Sequence, residues 1–181
     1  VKLISRGQPI RSVLQILRAN TRMPDFMEGD LWAGVAAVRG GALRLRELTA
    51  KYGTDLFLLA MQDFMDLGEK VSRMALAELP NTRLSLQEPQ DDGSVFKVSV
   101  QIHDRALTVD LCDNPDQCLG PTNLSRDGAV VAAQMAFKAL TAPRGITNGG
   151  TFRPLTVLTR PGSLFDRSEE RRVGKECRSR W

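Results

Sequence analysis

The spacing of apolar residues changes twice along this 181-residue chain, and those changes leave few fold classes open. From about Pro24 to Leu79, apolar side chains recur at three- and four-residue steps. From Thr82 to Cys112 they alternate with polar ones, and from Ser125 to Leu140 the helical spacing returns. A period of 3.6 residues lines one face of a helix, and a period of two lines one face of a strand. The chain is therefore expected to be α+β: a helical hairpin, then an antiparallel β-meander, then one packed C-terminal helix.

Local signals place the boundaries. Ile10, Val13, Leu14 and Leu17 predict a short helix from Pro9 to about Asn20, with Pro9 in its first turn. Pro24 and Gly53 bracket a long helix with an apolar stripe of Leu31, Val35, Val38, Ala42, Leu45 and Leu48. Gly40-Gly41 within it reads as a bend or a close helix crossing, with room for a ligand as the second reading. Thr54 is expected to cap a third helix running to about Leu79, with Leu56, Leu59, Ala60, Phe64, Leu67, Val71, Met74 and Ala75 facing inward. The meander follows: Thr82 to Glu88, Val95 to Ile102 and Ala106 to Cys112, turned at Asp91-Asp92-Gly93 and His103-Asp104-Arg105. His103 reads as a solvated turn residue. Ser125 or Asp127 caps the last helix, Pro143 ends it, and Leu155 to Thr159 reads as a final strand.

Composition excludes several function classes. A hydrophobic content of 42% suffices for one domain or part of one. No apolar run reaches the length of a membrane-spanning helix, so no membrane partner is expected. The opening Val1-Lys2-Leu3-Ile4-Ser5-Arg6 is too short and polar for a signal peptide, and the missing initiator Met is what a slice of a longer chain would show. The formal net charge of +4 sits mostly at the end: Arg167 to Trp181 holds six Lys and Arg against three Asp and Glu, leaving 19 and 18 in residues 1–166. That tail has no apolar periodicity and breaks off from a strand-like segment. It is read as a non-native basic extension rather than a nucleic-acid arm, and no nucleic-acid partner is expected. Cys112 and Cys118 have a C-x5-C spacing that matches no zinc pattern, and His103 stands alone. No intrinsic metal site is expected, and a reducing cytoplasm is the default compartment. There is no Gly-x4-Gly-Lys-Ser/Thr phosphate loop and no Gly-x-Ser-x-Gly elbow, so no cofactor is expected within this chain.

The densest turn chemistry is Thr147-Asn148-Gly149-Gly150-Thr151-Phe152-Arg153-Pro154, running into an apolar strand. The N–H groups of Gly149 and Gly150 and the Arg153 guanidinium are suited to a carboxylate, a phosphate or a developing oxyanion. The other reading is a tight connection in which Arg153 pairs with a nearby carboxylate. Asn123 and Asn148 flank the last helix at opposite ends, so the sequence alone does not place them in one site. Asp30 is a further candidate, although a carboxylate near a helix start also favours the helix dipole.

This loop resembles the Asn-x-Gly-x-x-Arg-Pro segment of the hydantoinase B/5-oxoprolinase family, which includes related subunits of acetone and acetophenone carboxylases. Gly120-Pro121-Thr122-Asn123 resembles that family's Gly-Pro-x-Asn step. Gly29-Asp30-Leu31 resembles its Gly-Asp-Leu helix opening, followed by Ala33, Ala36-Ala37, Gly41, Arg44-Leu45, Glu47-Leu48 and Tyr52-Gly53. The resemblance covers Val1 to about Asp166. It implies that residues 1–166 are a fragment of a larger hydantoinase B/oxoprolinase domain, with 167–181 set apart. Gly34 and Val38 depart from it, since the family carries Gln and Asn there.

The resemblance implies a B-type subunit of an ATP-dependent hydantoinase or 5-oxoprolinase, a hetero-oligomeric hydrolase opening the C–N bond of a small cyclic amide. ATP and a divalent metal are implied for the complete enzyme, with ATP handled by an A-type subunit or domain. The alternatives are a subunit of a biotin-independent ketone carboxylase and a non-catalytic interaction fragment, the latter being the expected state of the isolated chain. The substrate-binding residues expected are Asn123, Asn148, Gly149, Gly150, Arg153 and Asp30.

Overall fold

The computed structural model describes residues 2–120 and 122–167. The tail set apart above lies outside the described residues, except for Arg167. The chain divides into two compact units, residues 1–60 and 61–181.

The first unit opens with a ribbon of β1 (Ile4–Ser5) and β2 (Gln8–Pro9), antiparallel with Ile4 opposite Pro9. Arg6 and Gly7, at φ 49° and 80°, form the left-handed two-residue turn that such ribbons favour. Pro9 is thus a strand residue, and α1 (Arg11–Ala19) starts two residues after the expected first turn. Two-residue strands are too short to carry a period, so the ribbon left no mark in the hydrophobic pattern. The α2 helix (Pro24–Tyr52) has Pro24 in its first turn, and Arg18 of α1 pairs with Asp25 and Glu28 at its start.

Gly53 alone separates α2 from α3 (Thr54–Ala77). Its N–H donates to the Thr49 carbonyl at 2.9 Å, and its own carbonyl accepts from Phe57 N–H at 3.2 Å. One residue therefore ends one helix and starts the next, and its φ of 81° is strained for any side chain. The cap of α3 is Gly53 rather than Thr54.

A Cβ built on Gly40 or Gly41 meets nothing within 4 Å, so the expected close crossing is not seen among the described residues. Each glycine then costs α2 about 1 kcal/mol relative to alanine. Gly40→Ala and Gly41→Ala are each expected to stabilise the helix by roughly that amount, read as a higher thermal midpoint by circular dichroism. A lower midpoint would show that a hidden contact needs the glycine.

The second unit holds a four-stranded sheet in the order β3 (Thr82–Pro89), β4 (Val95–His103), β5 (Ala106–Asp110), β6 (Leu155–Leu158). The first three strands form the expected meander, and Asp104 and Arg105 both take left-handed values at its second turn. β6 pairs parallel to β5, with Leu107 opposite Leu155 and Val109 opposite Val157. The sheet is therefore mixed. The crossover between these strands carries α4 (Arg126–Thr141), capped by Ser125, whose Oγ accepts from Gly128 N–H.

Leu107, Leu76 of α3 and Phe137 of α4 make the core, with Val100, Ile102, Val109, Phe152 and Leu155 packed around them. Ala129 and Ala133 are also buried, so small residues let α4 approach closely, while Val131, Met135 and Leu140 are exposed. The face of α3 differs from expectation. Ser72 and Leu76 are buried, whereas Phe64, Leu67, Val71 and Met74 are exposed. The pattern counted apolar residues, but the face that packs runs from Gly68, where a Cβ would meet the Asn148 side chain, to the buried Ser72 and Leu76.

One loop residue extends the sheet. The side chain of Asn114, 5% exposed, accepts from Lys97 N–H at 2.8 Å and donates to the Lys97 carbonyl at 2.7 Å. It meets both main-chain groups of a β4 residue, as a neighbouring strand would. Among the described residues, no helix is long and apolar enough to cross a membrane.

Candidate functional site

The Asn148–Arg153 segment folds as a single turn of 3-10 helix (Gly149–Phe152) laid against α3. Asn148 caps it: Oδ1 accepts from Thr151 N–H at 3.1 Å, and Thr151 Oγ1 accepts from Asn148 N–H at 3.2 Å. The side-chain amide nitrogen is used too, since Asn148 Nδ2 donates to the Phe64 carbonyl of α3 at 2.7 Å. An asparagine is needed because the position requires an acceptor toward the turn and a donor toward the helix.

The glycines set the distance. A Cβ on Gly150 would lie 1.7 Å from the Met65 carbonyl oxygen, and one on Gly149 would lie 2.7 Å from Met65 Cε. On the α3 side, a Cβ on Gly68 would lie 2.2 Å from Asn148 Oδ1. Thr151 is buried, Phe152 packs on Phe137 with centroids 6.2 Å apart, and the Pro154 carbonyl accepts from Leu107 N–H.

Arg153 closes the clasp. Its Nη1 donates to Asp66 Oδ1 at 2.6 Å and to Glu69 Oε2 at 3.1 Å. Asp66 and Glu69 stand three residues apart on one face of α3. Glu69 also accepts from Arg73 Nε at 2.8 Å. Arg73 first, then Arg153, hold the Glu69 carboxyl below the usual carboxylate value. A carboxyl lowered in the native state stabilises fully above its unfolded-state value, and the contribution fades as pH falls through the native value. Glu69→Gln is thus expected to lower the thermal midpoint at neutral pH. The difference from the parent should begin to shrink only below the ordinary carboxylate value of about 4 and vanish once pH has passed the lowered native value; a difference that stays unchanged at the most acid pH at which both proteins remain folded would remove the ion pairs as its cause.

The structure brings Asn148, Gly149, Gly150 and Arg153 together but leaves Asn123 in its own loop. Asn123 Oδ1 accepts from Cys118 N–H at 2.9 Å, and its Nδ2 donates to the carbonyls of Cys118 and Gly120. Asp30 belongs to the first unit, exposed on α2. Cys118 Sγ lies 3.3 Å from Thr122 Oγ1, and this contact is the main cause of its lowered pKa. Cys112 is pushed up, chiefly by its hydrogen bond with Asp110. Among the described residues, no three His, Cys, Asp or Glu side chains cluster as metal ligands.

Of the α3 partners of the clasp, Phe64 is marked by the sequence only as an inward-facing residue, and Asp66, Gly68 and Glu69 are not singled out. The available signal was a glycine inside a helix, flanked by two carboxylates at helical spacing.

Sequence and fold comparisons agree. The B-type subunit of a "Putative D-/L-hydantoinase" from Pseudomonas sp. strain NS671 is 29% identical over 91% of this chain and 31% of its own length. An ATP-dependent caprolactamase from Pseudomonas jessenii superposes with a TM-score of 0.87 at 24% identity, over 94% of this chain and 30% of that one. Nucleotide-free acetone carboxylase superposes with a TM-score of 0.79 at 11% identity, over 94% of this chain and 25% of that one. The chain therefore spans about a third or less of the relatives it matches. The sequence profile of the hydantoinase B/oxoprolinase family matches residues 1–177, and the chain belongs to that family.

Proposed function

We propose that this chain is part of a B-type subunit of an ATP-dependent cyclic amide hydrolase of the hydantoinase/5-oxoprolinase kind, acting in the cytoplasm with an A-type partner. The observation that carries this reading is the family match over residues 1–177, supported by a relative named as the B-type component of a hydantoinase. The reaction is hydrolysis of the ring C–N bond, coupled to ATP cleavage in the partner. ATP and any divalent metal are assigned to parts of the complete enzyme outside this chain. Asn148, Gly149, Gly150 and Arg153 serve substrate binding at one remove, by fixing the loop before β6, and Asn123 does the same for residues 118–123. Asp30, exposed on α2, is proposed for direct contact.

The test is reconstitution of the family-length subunit with its A-type partner, ATP and either hydantoin or 5-oxoproline. Ring-opened product formed in proportion to ADP is the expected result. With a ketone and bicarbonate supplied in place of the amide, ATP-dependent carboxylation of the ketone, and no ring opening of either amide, would replace this reading with the carboxylase that the acetone carboxylase fold allows. Neither reaction in the reconstituted complex would leave an interaction role.

A further inference from the structure

We propose that the outer edge of β3 accepts one further β-strand from the part of a family-length subunit that this chain does not span. The inference rests on the reading of the chain as a portion of such a subunit. Two observations within the second unit carry it.

The first is the edge itself. Among the described residues β3 ends the sheet, and its eight residues pair with β4 at every position from Thr82–Ile102 to Pro89–Val95, without a bulge. Alternate N–H and C=O groups therefore point away from β4 along the whole strand. Natural edges are blunted by charged side chains (lysine above all), bulges, prolines or short length. β3 carries no lysine, and its charges, Arg83 and Glu88, and its proline stand near its two ends, leaving Leu84 to Gln87 uncharged.

The second is the face. The register puts Leu84 opposite Val100 and Leu86 opposite Val98, on the side of the sheet that carries Leu107 and Leu155. Leu76 and Phe137 cover that side as far as Val100 and Ile102 of β4. Leu84 and Leu86 are left 64% and 61% exposed. A sheet face patterned for burial thus continues past its helical cover, up to an edge with unused hydrogen-bonding groups.

The occupant follows from length. About 70% of each full-length relative lies outside the matched region, and that polypeptide is covalently available to the edge. The incoming strand should alternate: apolar residues beside Leu84 and Leu86, polar ones beside Arg83, Ser85 and Gln87 on the other face.

Amide hydrogen exchange tests this on the 181-residue chain and on the family-length subunit. The outward β3 amides are expected to exchange about 100-fold or more slowly in the longer protein. Equal rates in the two would overturn the proposal. So would protection in the short chain that grows with its own concentration, which would give the edge to a second copy. A Leu84→Lys/Leu86→Lys variant should leave the midpoint of the short chain unmoved and lower that of the family-length subunit; an unmoved family-length subunit counts against the proposal. Exchange and melting read the edge whether or not the subunit opens cyclic amides, so failure here is distinct from failure of the functional reading.

Discussion

Gly150→Ala is expected to lower the stability of the second unit by about 3 kcal/mol or more. The added Cβ would sit 1.7 Å from the Met65 carbonyl oxygen, a backbone atom held within α3. Neither partner can yield by rotating a side chain, so the 3-10 turn must lift off the helix. Lifting it breaks the Asn148–Phe64 and Arg153–Asp66 hydrogen bonds and withdraws Phe152 from Phe137. A thermal midpoint lower by roughly 6–12 °C is the readout. Gly149→Ala is the internal control. Its Cβ would meet only the flexible end of Met65 at 2.7 Å, so a smaller loss is expected. Equal effects of the two substitutions, or none from Gly150→Ala, would refute the close backbone approach.

The second large effect is at Phe137, 1% exposed, where α4 meets the sheet. Phe137→Ala should cost about 3–5 kcal/mol, the sum of lost apolar transfer and the cavity left behind. Part of that loss is its tilted contact with Phe152, so the cavity would open beneath the clasp itself. Equilibrium urea unfolding followed by far-ultraviolet circular dichroism measures the change. Phe137→Leu should lose less, because it retains most of the buried volume. An alanine variant within 1 kcal/mol of the parent, roughly the scale of an exposed substitution, would place the core elsewhere.

The sequence carried the long elements well because their signals are local. Pro24 and Gly53 bracket α2 at its observed bounds, and alternation located β3, β4 and β5 within a few residues. The parallel pairing of β6 was not legible, because a four-residue strand does not encode which distant strand it will join. The buried face of α3 was misread for a different reason: it runs through Gly68, which leaves room for the Asn148 side chain, and the small buried Ser72, neither of which a hydrophobic pattern counts. At the candidate site, the residue types were informative but their direction was not. An asparagine, two glycines and an arginine suit an anion as well as they suit a helix, and only the position of Asp66 and Glu69 shows where Arg153 is directed.

The crossover between β5 and β6 has a consequence for how the second unit is made. The meander is built from neighbours in sequence, so its contacts can form as soon as residues 82–110 exist. Leu107 must instead wait for Leu155, nearly fifty residues later in synthesis, before its parallel neighbour is available. Through that interval the nascent sheet shows an unpaired strand in its future interior, a state prone to misassociation. The segment that carries the clasp immediately precedes β6, so anchoring and strand closure arrive together. Folding of this unit is therefore expected to be limited by a late step, one that stabilises everything made before it.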